Sequence, residues 1–93
     1  MKLLNKSEIK EQITLINSWH IDRGLLCKEI NFKSFRNSID YINKIAVISE
    51  ENKHHPIITN NYLLVALKLT THDVNGLTQK DFDLAKLIDQ IRL

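Results

Sequence analysis

Apolar residues recur at helical spacing in three segments of the chain. Isoleucines at i, i+4 and i+7 predict an amphipathic helix over residues 7–17. A longer apolar stripe predicts a helix over residues 33–52 that is largely buried on one side. Thr78 and Asp81 form a capping-box pattern, with Asp in place of the usual Glu or Gln, so a last helix is predicted to begin there.

Four shorter segments carry the pattern of strands. Residues 19–23 alternate apolar and polar positions, and residues 25–31 resume the strand pattern after a glycine, which predicts a hairpin. Residues 57–62 and 65–71 predict a second pair of strands. His72 would extend one face of the last strand if that strand ran on.

The predicted order of elements is α-β-β-α-β-β-α, which indicates the α+β class. Two hairpins with helices between and after them favour a four-stranded, mainly antiparallel sheet with the helices packed on one face. The other face, or its rim, is then free for a site or a partner. Ninety-three residues are enough for a single domain, which we place at residues 1–93.

Composition and charge narrow the classes of function. Thirteen basic and eleven acidic residues are interspersed and give a net charge of +2, so no basic stripe points to nucleic acid. Cys27 is the only cysteine, which excludes an intrachain disulfide. The first six residues lack a signal-peptide pattern, and the longest apolar run, residues 63–67, is too short to cross a membrane. We therefore expect a cytoplasmic protein that binds neither membrane nor nucleic acid.

Three of the four histidines are candidates for proton transfer. His54 and His55 are adjacent and precede Pro56, which restricts the backbone there, and His72 follows a predicted strand. Imidazole is the side chain best matched to acid–base work near neutral pH. A solvated loop pair is an equally good interpretation of His54 and His55 at this point. His20 lies in a predicted strand with no motif around it, so we interpret it as a surface residue.

Other polar and aromatic residues allow two interpretations each. Glu50 precedes His54 by four residues and could orient an imidazole from the same helix face, or it could be a solvated charge. The capping box alone accounts for an acidic residue at Asp81, without a functional role. Trp19, the only tryptophan, is either a core anchor or one wall of a flat heteroaromatic pocket.

Several kinds of site have no support in the sequence. Neither a His-Glu-x-x-His nor a Cys-x-x-Cys pattern occurs, so a metal site is disfavoured. Neither a Gly-x-Ser-x-Gly elbow nor a glycine-rich phosphate loop occurs, which disfavours nucleophilic catalysis and nucleotide chemistry.

Taken together, the candidate residues resemble the motif of the pterin-4a-carbinolamine dehydratase family. The motif comprises an acidic residue, His-His-Pro, an aromatic residue, a later His and a final Asp. Here these are Glu50, His54-His55-Pro56, Tyr62, His72 and Asp81, with every spacing matched. The stretch between Pro56 and Tyr62 lacks the aromatic residues that similar proteins often carry.

The resemblance covers residues 19–90 and implies a specific reaction. Members of the family dehydrate 4a-hydroxytetrahydropterin to quinonoid dihydropterin during tetrahydrobiopterin recycling, without a metal or organic cofactor. We count all three histidines, His54, His55 and His72, as catalytic. We assign acid–base roles to His54 and His72 and a pterin-orienting role to His55, although the sequence leaves open which histidine takes which role. The residues expected to support them or bind substrate are Glu50, Asp81, Pro56, Thr71 and Trp19.

Two alternatives remain open at this stage. Some members of the family act as dimerisation cofactors of a transcription factor, so a non-catalytic binding module is the competing hypothesis. The same dehydration chemistry could also serve a different pterin. Exposed hairpin edges favour self-association, and we expect a homodimer or a homotetramer.

Overall fold

The computed structural model describes residues 1–92 and confirms both the α+β class and the predicted order of elements. Each of the three helices begins at a polar residue whose side chain accepts a backbone N–H of the first turn, namely Asn5, Ser34 and Thr78. The helices are α1 (Lys6–Ile13), α2 (Phe35–Asn52) and α3 (Gln79–Asp89).

The four strands form one antiparallel sheet in the order β1-β2-β4-β3. The strands are β1 (His20–Asp22), β2 (Leu25–Asn31), β3 (Ile57–Asn61) and β4 (Leu64–Leu69). Arg23 and Gly24 join β1 to β2, and both have positive φ (52° and 79°), as a two-residue hairpin turn of type I′ requires.

Alternate residues of the central strands form the core. Val65, Leu67 and Leu69 of β4 are fully buried beside Leu26 of β2. Phe82 from α3 is fully buried in the same cluster. The fold therefore rests on the period-two pattern of the strands meeting the apolar stripes of the helices.

Two predicted boundaries are wrong, and the second of them affects the site. Helix α1 ends at Ile13, four residues before the predicted end. Strand β4 ends at Leu69, and Thr71 forms an isolated bridge with Gly76 instead of continuing the strand. His72 therefore begins a short 3-10 turn (His72–Val74). The three elements that end or begin here, β4, α2 and α3, bring the candidate residues to one end of the sheet.

Candidate active site

All three candidate histidines line one open cleft of about 450 Å³. Pro56 and Thr71, two of the predicted supporting residues, line it as well. This volume falls in the range typical of small-molecule sites. The remaining residues of the lining come from the turns on either side of the histidines, from the first turn of α3 and from the start of the chain; they are Met1, Lys53, Ile57, Thr70, Asp73 and Lys80.

The end of α2 determines where His54 and His55 lie. The helix stops at Asn52, and Lys53 adopts a left-handed conformation with φ 51°. The backbone N–H of His54 then donates to the carbonyl of Ser49 at 3.1 Å, which closes the helix in the manner of a Schellman-type cap. His54 and His55 follow this reversal, and both line the cleft.

His54 is anchored by a buried carboxylate. Its Nε2 lies 2.6 Å from Oδ1 of Asp81, whose side chain is fully buried, while the His54 side chain is 13% exposed. A carboxylate is an acceptor, so the hydrogen on His54 lies on Nε2 when the imidazole is neutral. The free nitrogen, Nδ1, has no hydrogen-bond partner within residues 1–92.

Asp81 is itself held by the start of α3. Its Oδ2 accepts from the hydroxyl of Thr71 at 2.8 Å and from the backbone N–H of Thr78 at 3.0 Å. The two threonine hydroxyls are 2.8 Å apart. Because the Thr78 hydroxyl accepts from the backbone N–H of Lys80, its own hydrogen is available to Thr71, and that of Thr71 is available to Asp81. The capping box and the histidine anchor are therefore one network.

His55 contacts the other acidic candidate. Its Nε2 lies 2.5 Å from Oε2 of Glu50, and both side chains are exposed. The sequence prediction that Glu50 shares a helix face with His54 is wrong, because α2 ends before His54. Glu50 orients the neighbouring imidazole instead.

His72 differs from the other two histidines in having no side-chain partner in the described part of the chain. It is exposed at the first position of the 3-10 turn and faces the same cleft. Its imidazole is thus free to contact a ligand directly.

Trp19 does not line the cleft. Its ring is buried in the core, its Nε1 donates to Oδ1 of Asp89 at 2.8 Å, and the ammonium of Lys28 lies 5.5 Å from the ring centroid. The ring nitrogen and the aromatic face are both occupied by these contacts. The interpretation of Trp19 as a pocket wall is therefore corrected to that of a core anchor.

Two lysines of the cleft, Lys53 and Lys80, were not predicted from the sequence. They are 27 positions apart in the chain and belong to no motif, so the sequence gives no indication that they line the same cleft.

The buried Cys27 lies outside the cleft. Desolvation raises the pKa of its thiol, which lowers the fraction present as thiolate.

No three His, Cys, Asp or Glu side chains within residues 1–92 are arranged to hold a metal ion. No helix in the same range is long and apolar enough to cross a membrane.

Comparison with known proteins supplies a family for this arrangement. Residues 2–91 match the family model described as pterin 4 alpha carbinolamine dehydratase. A protein of Nostoc punctiforme is 42% identical over 91 residues, covering 98% of both chains, and one of Sulfolobus acidocaldarius is 39% identical over 89 residues, covering 96% of this chain and 98% of its own. Both carry the name "Putative pterin-4-alpha-carbinolamine dehydratase".

Two solved structures share the fold. A transcriptional coactivator/pterin dehydratase from Brucella melitensis superposes with a TM-score of 0.89 at 29% identity, covering 94% of this chain and 95% of the other. A pterin dehydratase-like protein described as a RuBisCO assembly factor in the alpha-carboxysome superposes with a TM-score of 0.66 at 22% identity, covering 78% of this chain and 87% of its own. The second likeness concerns the fold alone.

Proposed function

The chain belongs to the pterin-4α-carbinolamine dehydratase family, and from that premise we propose that it catalyses the dehydration of a 4a-hydroxytetrahydropterin to the quinonoid dihydropterin. We place this step in tetrahydrobiopterin recycling in the cytoplasm. The observation that best supports the proposal is the convergence of His54, His55 and His72 on one cleft, with His54 anchored by the buried Asp81.

The reaction asks little of the protein beyond two proton transfers. The lone pair of a ring nitrogen helps to break the bond between C4a and the hydroxyl oxygen. The leaving oxygen gains a proton and departs as water, while a ring N–H loses one. Atoms and electrons balance without an oxidant or a reductant, so positioned imidazoles are sufficient catalysts.

The hydrogen bonds of the site suggest which histidine does what. His54 keeps its hydrogen on Nε2 for Asp81, so its Nδ1 is the nitrogen that accepts the ring N–H proton. The Asp81 carboxylate then stabilises the imidazolium that forms. His72, which is free of other partners within residues 1–92, supplies the proton to the leaving hydroxyl.

His55 has a binding role in this proposal. Its hydrogen bond to Glu50 fixes the orientation of the ring at the rim of the cleft. A fixed imidazole can hold the flat pterin against the other two histidines, and positioning of that kind contributes to the rate by itself. His55→Ala should therefore raise KM more than it lowers kcat.

Stopped-flow absorbance of a freshly generated 4a-hydroxytetrahydropterin tests the proposal. The purified chain should accelerate formation of the quinonoid product by at least about 100-fold over buffer, which is the lower range for general acid–base catalysis. A folded protein that leaves the buffer rate unchanged would eliminate the dehydratase hypothesis. A large rate with one pterin side chain and none with another would identify the pterin that is used.

A binding or dimerisation role is the second candidate, supported by exposed apolar residues. Phe35 and Val47 of α2 are exposed, and the Phe35 ring stacks on Tyr62 at a centroid distance of 6.4 Å. The Brucella melitensis relative is also described as a transcriptional coactivator. We propose that the exposed side of α2 mediates a homodimer or homotetramer. Light scattering of the wild type and of Val47→Asp distinguishes such an assembly from a monomer.

A further inference from the structure

Two positive charges line the cleft without a counter-charge. Lys53 and Lys80 both contribute to its wall, and neither ammonium lies within 4.0 Å of a carboxylate in residues 1–92. Apart from the histidines, the only other charged side chain in the described wall is Asp73. Among the charged side chains of the wall itself, the two lysines therefore outnumber the one carboxylate, and the Asp81 and Glu50 carboxylates are engaged by His54 and His55.

Each lysine occupies a position that local structure disfavours. Lys80 is the second residue of α3, where the positive end of the helix dipole repels a cation. Lys53 adopts left-handed dihedral angles, which a residue with a Cβ takes up at a cost and which Gly or Asn adopts more readily. Residues that contradict local preference are expected mainly where function requires them.

The reaction of the ring does not require these charges. The ring of a 4a-hydroxytetrahydropterin is neutral, and positive character develops on it as the hydroxyl leaves. Two nearby ammonium groups work against that charge rather than for it. A role in binding some other part of the substrate explains both lysines better.

We propose that this cleft takes a pterin whose side chain carries an anionic group, a phosphate or a carboxylate, held by Lys53 and Lys80. This inference rests on the proposed dehydratase function and specifies its substrate class. Lys53 directly precedes His54 in the chain, and Lys80 directly precedes Asp81, the partner of His54. Both lysines line the cleft that the three histidines line. A cleft of about 450 Å³ has room for the bicyclic ring and such a side chain.

Paired turnover measurements test the proposal. The kcat/KM for 4a-hydroxytetrahydropterins bearing a phosphate ester or a carboxylate at C6 is compared with that for the 6-methyl compound. Wild type should prefer the anionic substrates about five- to tenfold at low salt, the gain that two exposed ion pairs supply, and the preference should shrink as ionic strength rises. The phosphate and carboxylate arms show which anion is held.

The variants assign that preference to the lysines. Lys53→Gln with Lys80→Gln should abolish it, and Lys53→Arg with Lys80→Arg should retain most of it. Lys10→Gln, on the exposed side of α1, is the matched control and should keep the wild-type ratio. Calorimetry gives a comparison that does not depend on turnover. The ratio of the affinities for pterin-6-carboxylate and 6-methylpterin should be high in wild type, the double Arg variant and Lys10→Gln, and low in the double Gln variant.

The failures of the two proposals are distinguishable. Turnover of the 6-methyl compound with no preference for either anionic substrate would overturn the lysine proposal and leave the dehydratase function in place. Preferential binding of pterin-6-carboxylate that the double Gln variant retains would also overturn it. Absence of turnover with all three compounds would overturn both.

Discussion

Nε2 of His54 lies 2.6 Å from Oδ1 of Asp81, although the two residues are 27 positions apart in the chain. One comes from the turn after α2 and the other from the first turn of α3. Asp81 thus serves two purposes, since the same carboxylate caps a helix through Oδ2 and fixes an imidazole through Oδ1. The stability of α3 and the protonation geometry of the cleft depend on one side chain.

Replacing Asp81 by Asn should separate these two purposes. An amide oxygen still accepts the backbone N–H of Thr78, but the amide nitrogen then faces His54 and forces its hydrogen onto Nδ1. We expect kcat to fall by about 100-fold with little change in KM, because the proton acceptor is lost and substrate contacts are kept. Steady-state kinetics of Asp81→Asn measure this, with circular dichroism to verify the fold.

Asp83→Asn is the matched control for that variant. Asp83 lies on the exposed side of the same helix and accepts only from Gln79 within residues 1–92. Its substitution should leave kcat unchanged. Equal losses in the two variants would show that the effect on rate comes from α3 in general and not from the contact with His54.

Removal of the Thr71 hydroxyl tests the hydrogen-bond network around Asp81. Thr71→Val leaves Oδ2 of Asp81 with one donor and the Thr78 hydroxyl without its partner, in a fully buried setting. We expect a loss of about 1–3 kcal/mol in the free energy of unfolding, the usual cost of an unpaired buried polar group. Thr71→Ser keeps the hydroxyl and should recover most of the stability. Urea denaturation gives the comparison, and identical stabilities of the Val and Ser variants would contradict it.

A substitution at Ser49 should raise the free energy of unfolding rather than lower it. Its hydroxyl is buried in α2 and has no hydrogen-bond partner within residues 1–92. Removing it relieves the cost of burying an unpaired polar group without opening a large cavity, so Ser49→Ala should raise the free energy of unfolding by about 1 kcal/mol. Thermal unfolding measures the change. A lower melting temperature would mean that the hydroxyl has a partner in solution.

Asp89 anchors the loop before β1, and its removal should be severe. Its carboxylate accepts from Lys28 at 2.7 Å, from the Trp19 ring at 2.8 Å and from the backbone of Asn17 at 2.8 Å. Both charged side chains are nearly buried, at 13% and 10% exposure. Asp89→Ala should cost about 3 kcal/mol because it leaves the Lys28 ammonium buried without its counter-ion.

Tryptophan fluorescence during urea unfolding reports that loss directly, since Trp19 is the only tryptophan. Asp83→Ala, on the exposed side of the same helix, is the control and should change stability little. A cost for Asp89→Ala no larger than for the control would show that the cluster contributes nothing net. The double variant Lys28→Met with Asp89→Ala should recover part of the loss, because it removes the unpaired charge.

The fold was largely predictable because the spacing of apolar residues along the chain matches the buried faces of its helices and strands. The alternation of Val65, Leu67 and Leu69 marks a strand with one buried face, and those residues are fully buried. Element ends were less predictable. The end of β4 depends on the bridge between Thr71 and Gly76, and no local sequence pattern predicts that contact.

The candidate site was predictable in its members but not in its pairings. The motif identified the histidines that line the cleft. Glu50 nevertheless contacts His55 rather than His54, because α2 ends at Asn52 and the left-handed Lys53 takes His54 off the helix face of Glu50. Trp19 illustrates the other limit. Composition marks a lone tryptophan as notable, but only tertiary contacts with Asp89 and Lys28 assign it to the core.

The decisive measurement is stopped-flow dehydration of a 4a-hydroxytetrahydropterin by wild type, His54→Ala, His72→Ala and His20→Ala. His20 is an exposed histidine of β1 that lies 3.7 Å from Glu29 and outside the cleft, so it controls for loss of an imidazole as such. We expect rapid turnover by wild type and His20→Ala, with losses of about 100-fold or more in the other two variants. Wild-type turnover that survives both cleft substitutions would contradict acid–base catalysis by these histidines.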